Sequence, residues 1–403
     1  MSKVFKLSDI SHLITKGTTP TTVGGSFVDS GINFIKIESI GNDGTLDSNK
    51  FAFIDEKSNL LLKRSILKKD DVLFSIAGAI GRSTIIDEQV LPANTNQALA
   101  IIRPIKEFIT PKYLYYSTKT PSFQNQAYGR INQTAQANVN LAQLSSIELS
   151  VPLLATQKRV TDILSAYDDL IDNNRKRMAL LEKAARMLYE EWFLHLQFPG
   201  HEHTPVVAGV PEGWESGTVS SFFTTASGGT PSRAKEVYYT GTYNWVKTKE
   251  LNNDFIFDTE EKITEEAIKN SAAKLFPKQT ILIAMYGATV GELGILATEA
   301  ATNQACCAIL PTEGIGYAYP YLFFLSQKEK LISLSMGAAQ KNVSQQIIRS
   351  MSMVLPKAGV LSVFNATIEP VFEQLRVLQI QNQKLQQARD LLLPRLMSGE
   401  LAV

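Results

Sequence analysis

Between Thr156 and Phe193 the chain sets apolar or small residues at alternating intervals of four and three: Val160, Leu164, Tyr167, Ile171, Asn174, Met178, Leu181, Ala185, Leu188 and Trp192. Mostly polar residues fill the intervals, and neither Gly nor Pro interrupts them. This repeat predicts one long helix with a narrow apolar seam, which needs a second helix to cover it. At about 1.5 Å per residue the helix would run roughly 57 Å. Asn174 is the polar member of the seam, a position type that fixes register at some cost in stability.

The covering helix is predicted at the C-terminal end. Adding 204 to each seam position gives Phe364, Ile368, Val371, Leu375, Leu378, Asn382, Leu385, Arg389, Leu392 and Leu396. The spacing is the same, with Asn382 and Arg389 as polar members. Pro370 and Pro394 are expected to bend this helix or trim its ends. Chance periodicity in two unrelated core helices would not produce a matched offset.

The offset extends beyond the helices. Lys16-Gly17-Thr18-Thr19-Pro20 has a counterpart in Gly228-Gly229-Thr230-Pro231, displaced by 211 at the proline. Phe34-Ile35-Lys36-Ile37-Glu38 matches Trp245-Val246-Lys247-Thr248-Lys249-Glu250, displaced by 212 at the glutamate. The strand-like Val72–Ala79 matches Ile281–Ala288 at 209, and Thr95-Asn96-Gln97-Ala98 matches Thr302-Asn303-Gln304-Ala305 at 207. Asn138-Val139 matches Asn342-Val343, and Pro152 matches Pro356, both at 204. Such an ordered series indicates an internal duplication of a globular unit followed by a helix.

Each globular unit mixes short β-branched and aromatic runs with Gly, Pro, Asn and Asp punctuation, and holds helical stretches such as Glu260–Ala272 and Tyr319–Lys330. The expected class is α+β: two duplicated domains separated by a pair of long antiparallel coiled-coil helices in a pseudo-two-fold arrangement. The expected boundaries are 1–153 for the first domain, 154–198 for the first helix, 199–355 for the second domain and 356–403 for the second helix. Pro199–Trp214, rich in Pro and Gly, reads as a solvated linker; a metal site on its His201 and His203 is the sharper but weaker alternative.

Composition narrows the function. At 403 residues the chain can hold two or three cores, and its make-up is that of an ordinary globular protein. No apolar run approaches a membrane span, and MSKVFKLSDI lacks a signal peptide's apolar core. The only cysteines, Cys306 and Cys307, are adjacent in an apolar run, which suggests neither a disulfide framework nor a zinc site. A cytoplasmic protein without a membrane partner is expected. Net charge is +1; residues 1–155 carry 16 Lys and Arg against 13 Asp and Glu, whereas residues 200–355 carry 12 against 15. No segment is a basic arm, so a nucleic-acid partner would need local cation clusters or basic surface from another subunit.

The glycine loops lack the Gly-Lys-Ser/Thr ending of a nucleotide-hydrolysing loop, and the glycines after Ala77 and Tyr286 do not form a dinucleotide fingerprint. No Asn/Asp-Pro-Pro-aromatic methyltransferase loop, helicase motif or nuclease metal cluster is present, and four histidines leave little acid–base capacity. His195, beside Trp192 and Phe193, reads as packing. The polar loops suit binding. Asn and Gln pair bidentately with adenine, Arg and Lys with guanine or phosphate; the bland reading is that these amides cap their own loops. The candidate contacts are Lys16, Thr18, Thr19, Lys36, Asn96, Gln97, Gln133 and Gln136 in the first unit. In the second they are Thr230, Ser232, Arg233, Lys247, Lys249, Tyr286, Asn303, Gln340 and Lys341.

The ordered loops, the Thr-Asn-Gln pair, the helix ending Glu190-Glu191-Trp192-Phe193 and the stretch from Phe198-Pro199-Gly200 to Pro211-Glu212-Gly213-Trp214-Glu215 resemble the DNA-specificity subunit of Type I restriction-modification systems over essentially the whole chain. The resemblance implies two target-recognition domains, each reading one half of a bipartite double-stranded DNA site. The helices would set the unread spacer and dock two methyltransferase (modification) subunits. It implies a non-catalytic chain: S-adenosylmethionine, ATP and Mg would be bound by partners, the modification subunits and the restriction/translocase subunits. A two-fold repeat suits half-sites one or more helical turns apart. Competing readings are a coiled-coil scaffold with two protein- or glycan-binding domains, and the specificity subunit of a Type IIB-like enzyme. An enzymatic reading would need a pocket of convergent titratable groups.

Overall fold

A computed structural model describes residues 2–129, 138–335 and 342–403. The chain divides into two compact units, residues 1–172 with 383–403 and residues 173–382, so each unit takes part of both long helices.

In the first unit, Val72–Ser75 is buried at every position and lies inside an antiparallel sheet ordered Ser11–Lys16, Leu99–Pro104, Val72–Ser75, Ser83–Ile85. Burial on both faces explains a continuous apolar run where a half-exposed strand would alternate. A second sheet runs Phe27–Val28, Ala52–Ile54, Ile32–Ile35, Ala93–Thr95, its last pair parallel with Ile35 opposite Thr95. The helices Pro111–Thr118 and Pro121–Tyr128 each begin with proline behind a threonine whose side chain caps the third backbone N–H.

The second unit repeats this plan. Ile281–Ala284, also buried throughout, sits in a sheet ordered Thr225–Ser227, Cys306–Ile309, Ile281–Ala284, Leu293–Leu296, Asp254–Ile256. The other sheet runs Lys262–Ile263, Tyr243–Val246, Ala300–Thr302, Leu275–Phe276, again with a parallel pair, Val246 opposite Thr302. The loop after the central strand closes the same way in both units. Ala77 bridges to Asn138 in one and Tyr286 to Asn342 in the other. Cys306 and Cys307 are buried free thiols.

The first long helix is Leu154–Tyr189, ending in a π-helical turn, Glu190–Leu194. Val160, Leu164, Ile171, Asn174 and Ala185 are buried, and Tyr167, Met178, Leu181, Leu188 and Trp192 are partly buried. The second long helix is Ala358–Ser398. Phe364, Ile368, Leu375, Leu378, Arg389 and Leu396 are buried on it, and Val371, Asn382, Leu385 and Leu392 are partly buried. Within the second unit, Asn174 donates to Asn382 Oδ1 at 3.0 Å while the rings of Trp192 and Phe364 lie 5.7 Å apart, so the helices pair antiparallel there.

Three expectations need correcting. Pro370 and Pro394 do not trim the second helix, which runs through both. At Pro370 the carbonyl four residues back belongs to the exposed Ala366, where water can take the place of the missing N–H. The helix expected at Glu260–Ala272 shrinks to Glu265–Lys269 behind the capping Thr264, because Glu261 is drawn into strand pairing by the Trp245 N–H. The stretch Tyr319–Lys330 is two helices, Ala318–Ser326 and Lys328–Ser335. Pro199–Trp214 is mostly exposed, but its ends are pinned: Phe198 and Trp214 are buried against Val360. Among the described residues no helix is long and apolar enough to cross a membrane.

Candidate nucleic-acid interface

The Gly-Thr-Pro loop and the Thr-Asn-Gln loop come together in each unit because the strand before the first pairs antiparallel with the strand after the second, Lys16 opposite Ala100 and Ser227 opposite Cys307. In the first unit, Thr95 ends the strand Ala93–Thr95 and its carbonyl accepts the Thr18 N–H at 3.3 Å. A Cβ on Gly17 would lie 1.9 Å from the same oxygen, so only glycine permits this approach. Thr19 Oγ1 then donates to Gln97 Oε1 at 2.6 Å. In the second unit the Thr302 carbonyl accepts the Gly229 N–H at 2.9 Å, and a Cβ on Gly228 would lie 2.0 Å from it. Thr230 Oγ1 donates to Gln304 Oε1 at 2.5 Å.

Asn96 and Asn303 use their side-chain oxygens on their own turns, accepting from the N–H of Ala98 and Ala305, each at 3.1 Å. The loop-capping reading therefore holds for these two oxygens, while the exposed Gln97 and Gln304 sit at the rim.

The cations around the two loop pairs differ. In the first unit, Lys36 Nζ lies 4.9 Å above the Phe27 ring, Lys16 is exposed, and Arg64 reaches Thr18 Oγ1 at 3.5 Å. In the second, Arg233 stacks on Tyr239 at 4.1 Å and on Trp245 at 5.2 Å. Its Nη1 lies 2.7 Å from Glu261 Oε2, an ion pair whose geometry falls short of an aligned hydrogen bond. Lys247 donates to Glu261 Oε1 at 2.6 Å and approaches Glu260 at 3.4 Å, while Lys249 pairs with Glu260. The hydrogen bond from Lys247, then the nearby Arg233 cation, holds the Glu261 carboxyl below the usual carboxylate range; Lys249, then Lys247, does the same for Glu260. Ser232 and Tyr286 are exposed. Gln133, Gln136, Gln340 and Lys341 lie outside the described residues.

Sequence reading missed Arg64, Glu260 and Glu261. The strand register that places Glu261 opposite Trp245 is a long-range pairing, and a Glu-Glu pair ahead of a helix-like run suggests only a helix start. Among the described residues no group of three or more His, Cys, Asp or Glu could hold a metal ion.

Two copies of one α+β fold, each presenting the same locked loop pair and each built onto part of the same two long helices, define a duplicated recognition protein. The chain belongs to the Type I restriction modification DNA specificity domain family, whose model matches it twice, over residues 2–183 and 211–385. It is 24% identical to the Type I restriction enzyme MjaIX specificity subunit of Methanocaldococcus jannaschii, an alignment covering 99% of this chain and 93% of that one. It is 23% identical to the HindI specificity subunit of Haemophilus influenzae, over 89% and 93%. The S subunit of a Type I restriction-modification system from M. genitalium shares its fold, with a TM-score of 0.56 at 14% identity over 98% of this chain and 96% of the other. These relatives are named as specificity subunits, which favours target recognition over a protein- or glycan-binding scaffold.

Proposed function

We propose that the chain, acting in the cytoplasm as a non-catalytic specificity subunit, reads a bipartite duplex DNA site, with the Gly-Thr-Pro and Thr-Asn-Gln loops of each unit facing one half-site. The carrying observation is the repetition of one loop lock at equivalent positions, Thr19 to Gln97 at 2.6 Å and Thr230 to Gln304 at 2.5 Å. A lock built twice from exposed polar side chains holds two backbone loops rigid without using an apolar core, which suits a surface that must meet base edges in a fixed pose. The long helices carry the modification subunits and set the spacer. Leu170, Leu180 and Met187, off the seam and 51%, 68% and 53% exposed, support such docking. S-adenosylmethionine, ATP and Mg act in the modification and restriction/translocase partners.

Genome-wide adenine-methylation mapping in cells with and without this chain tests the reading. Loss of one split motif on deletion is the expected result, and it yields both half-sites. A continuous motif, or specific binding of the purified methyltransferase complex that is indifferent to this chain, would overturn it.

A further inference from the structure

The two recognition faces carry different electrostatics at the same place in the fold. In the first unit Phe34 pairs with Ala52 across antiparallel strands, and Asn33 pairs with Phe53. In the second, Asn244 pairs with Lys262, and the next step of that register sets Trp245 against Glu261, whose carbonyl accepts the Trp245 N–H at 3.2 Å. Phe34-Ile35-Lys36 corresponds to Trp245-Val246-Lys247, so Glu261 stands where the first unit has Ala52, and Glu260 where it has Phe51. The first unit's lysine therefore sits on an aromatic ring, and the second unit's lysine sits between two carboxylates.

This acidic pair is held in place. Glu250 accepts the Lys247 N–H at 2.7 Å and the Glu260 N–H at 2.8 Å, bracing the strand end against the segment that carries the glutamates. Lys247 is only 16% exposed in this arrangement. The cluster is continuous with the loop pair, because the Asn303 N–H donates to the Val246 carbonyl at 3.0 Å and the Trp245 Nε1–H to the Gly229 carbonyl at 3.1 Å.

We infer that Glu260 and Glu261 are specificity-determining residues of the second domain: they occupy Arg233, Lys247 and Lys249 until a matching half-site brings phosphates close enough to replace them. This rests on the proposed reading of the loops as the DNA-facing surface. On random DNA each phosphate contact requires the loss of an existing ion pair, so the face adds little sequence-independent affinity. On the matching half-site, base-edge contacts hold the backbone in position and the exchange goes forward. Repelling the wrong ligand and binding the right one then use the same carboxylates. The first domain, with Phe51 and Ala52, has no such restraint at these positions and supplies the sequence-independent attraction.

The experiment uses the full chain assembled with its modification subunits. Its probes are a duplex bearing both half-sites read from the methylation map and a duplex with the second domain's half-site scrambled, titrated by fluorescence anisotropy over a KCl series. For Glu260→Gln/Glu261→Gln, affinity for the scrambled duplex is expected to rise about tenfold and its log–log salt slope to steepen by about 1–2, since each phosphate contact contributes about 0.9. Affinity for the cognate duplex changes less, so discrimination falls. The single Glu260→Gln, at a 61% exposed side chain with its backbone bond to Glu250 untouched, reports the same trend at about half size if the double variant does not fold. If the unaltered complex discriminates cognate from scrambled DNA but the Gln variants leave slope and discrimination unchanged, the inference is overturned. If the unaltered complex does not discriminate, the loop reading itself fails, and this inference with it.

Discussion

Arg389→Met tests whether a polar residue in the apolar seam acts by holding a specific partner. Arg389 is 10% exposed at its side chain; its Nη1 donates to Asp168 Oδ1 at 2.5 Å, while Nε and Nη2 donate to Asp390. Asp168 Oδ2 in turn accepts the Tyr116 hydroxyl at 2.6 Å, tying the helix Pro111–Thr118 to both long helices within the first unit. Methionine keeps the apolar stem and removes the charge. Removing one partner of a buried pair costs roughly 3–5 kcal/mol, because the other charge is left uncompensated. Asp168 is 27% exposed and keeps Tyr116, which brings the expectation down to about 2 kcal/mol. Hydrogen exchange at the amides around Tyr116 and Asp168 reads this unit's opening energy even when the two units unfold separately. Adding Asp168→Leu and Tyr116→Phe removes the stranded groups and should recover most of the loss. A cost under about 0.5 kcal/mol for Arg389→Met would falsify the assignment, and failure of the triple variant to recover would place the effect in packing instead.

Asn174→Leu or Asn382→Leu alone should destabilise the second unit by about 1–2 kcal/mol by stranding the other amide, while the double variant is neutral or stabilising in urea melts. Burial, and then the charge of Glu182, pushes the Asp254 carboxyl up to about 6. The folded state thus holds this proton more tightly than the unfolded chain, so the contribution is present at pH 4 and lost as pH rises through about 6. Asp254→Asn should stabilise the second unit by about 2 kcal/mol at pH 7.5 and hardly at all at pH 4; an equal gain at both would point to packing. Gly17→Ala and Gly228→Ala, whose new methyl groups meet a backbone carbonyl, should each abolish recognition of one half-site with the other retained on binding arrays. Loss of both together would mean that the fold, not the loop, had failed.

The helix seam was legible because its period is independent of what covers it: every predicted position proved buried or partly buried. The offset of 204 identified the second helix but not who meets whom. Repeat equivalence matches Asn382 to Met178, whereas contact in an antiparallel pair joins Asn382 to Asn174, with Met178 Sδ the more distant neighbour at 3.9 Å. Duplication and contact are different relations, and only the first can be read by shifting an index. Local sequence was also silent on Pro370, where an exposed carbonyl lets a long helix absorb a residue that usually ends one.

At the candidate interface the loops were legible and their electrostatics were not. Gly17 and Gly228 announce themselves in sequence because a close backbone approach admits no other residue. Arg233, Lys247 and Lys249 look like three cations for DNA, and only the strand register shows that two adjacent glutamates already hold them. The second domain's net negative charge points the same way. A face that neutralises itself cannot gain affinity from charge alone, so its discrimination must come from the rigid loop pair beside it. That pair is the feature the two domains share, and the acidic restraint is the one they do not. Sequence change at positions 260 and 261 would therefore retune how strictly the second half-site is read, with the loop pair that reads it left in place.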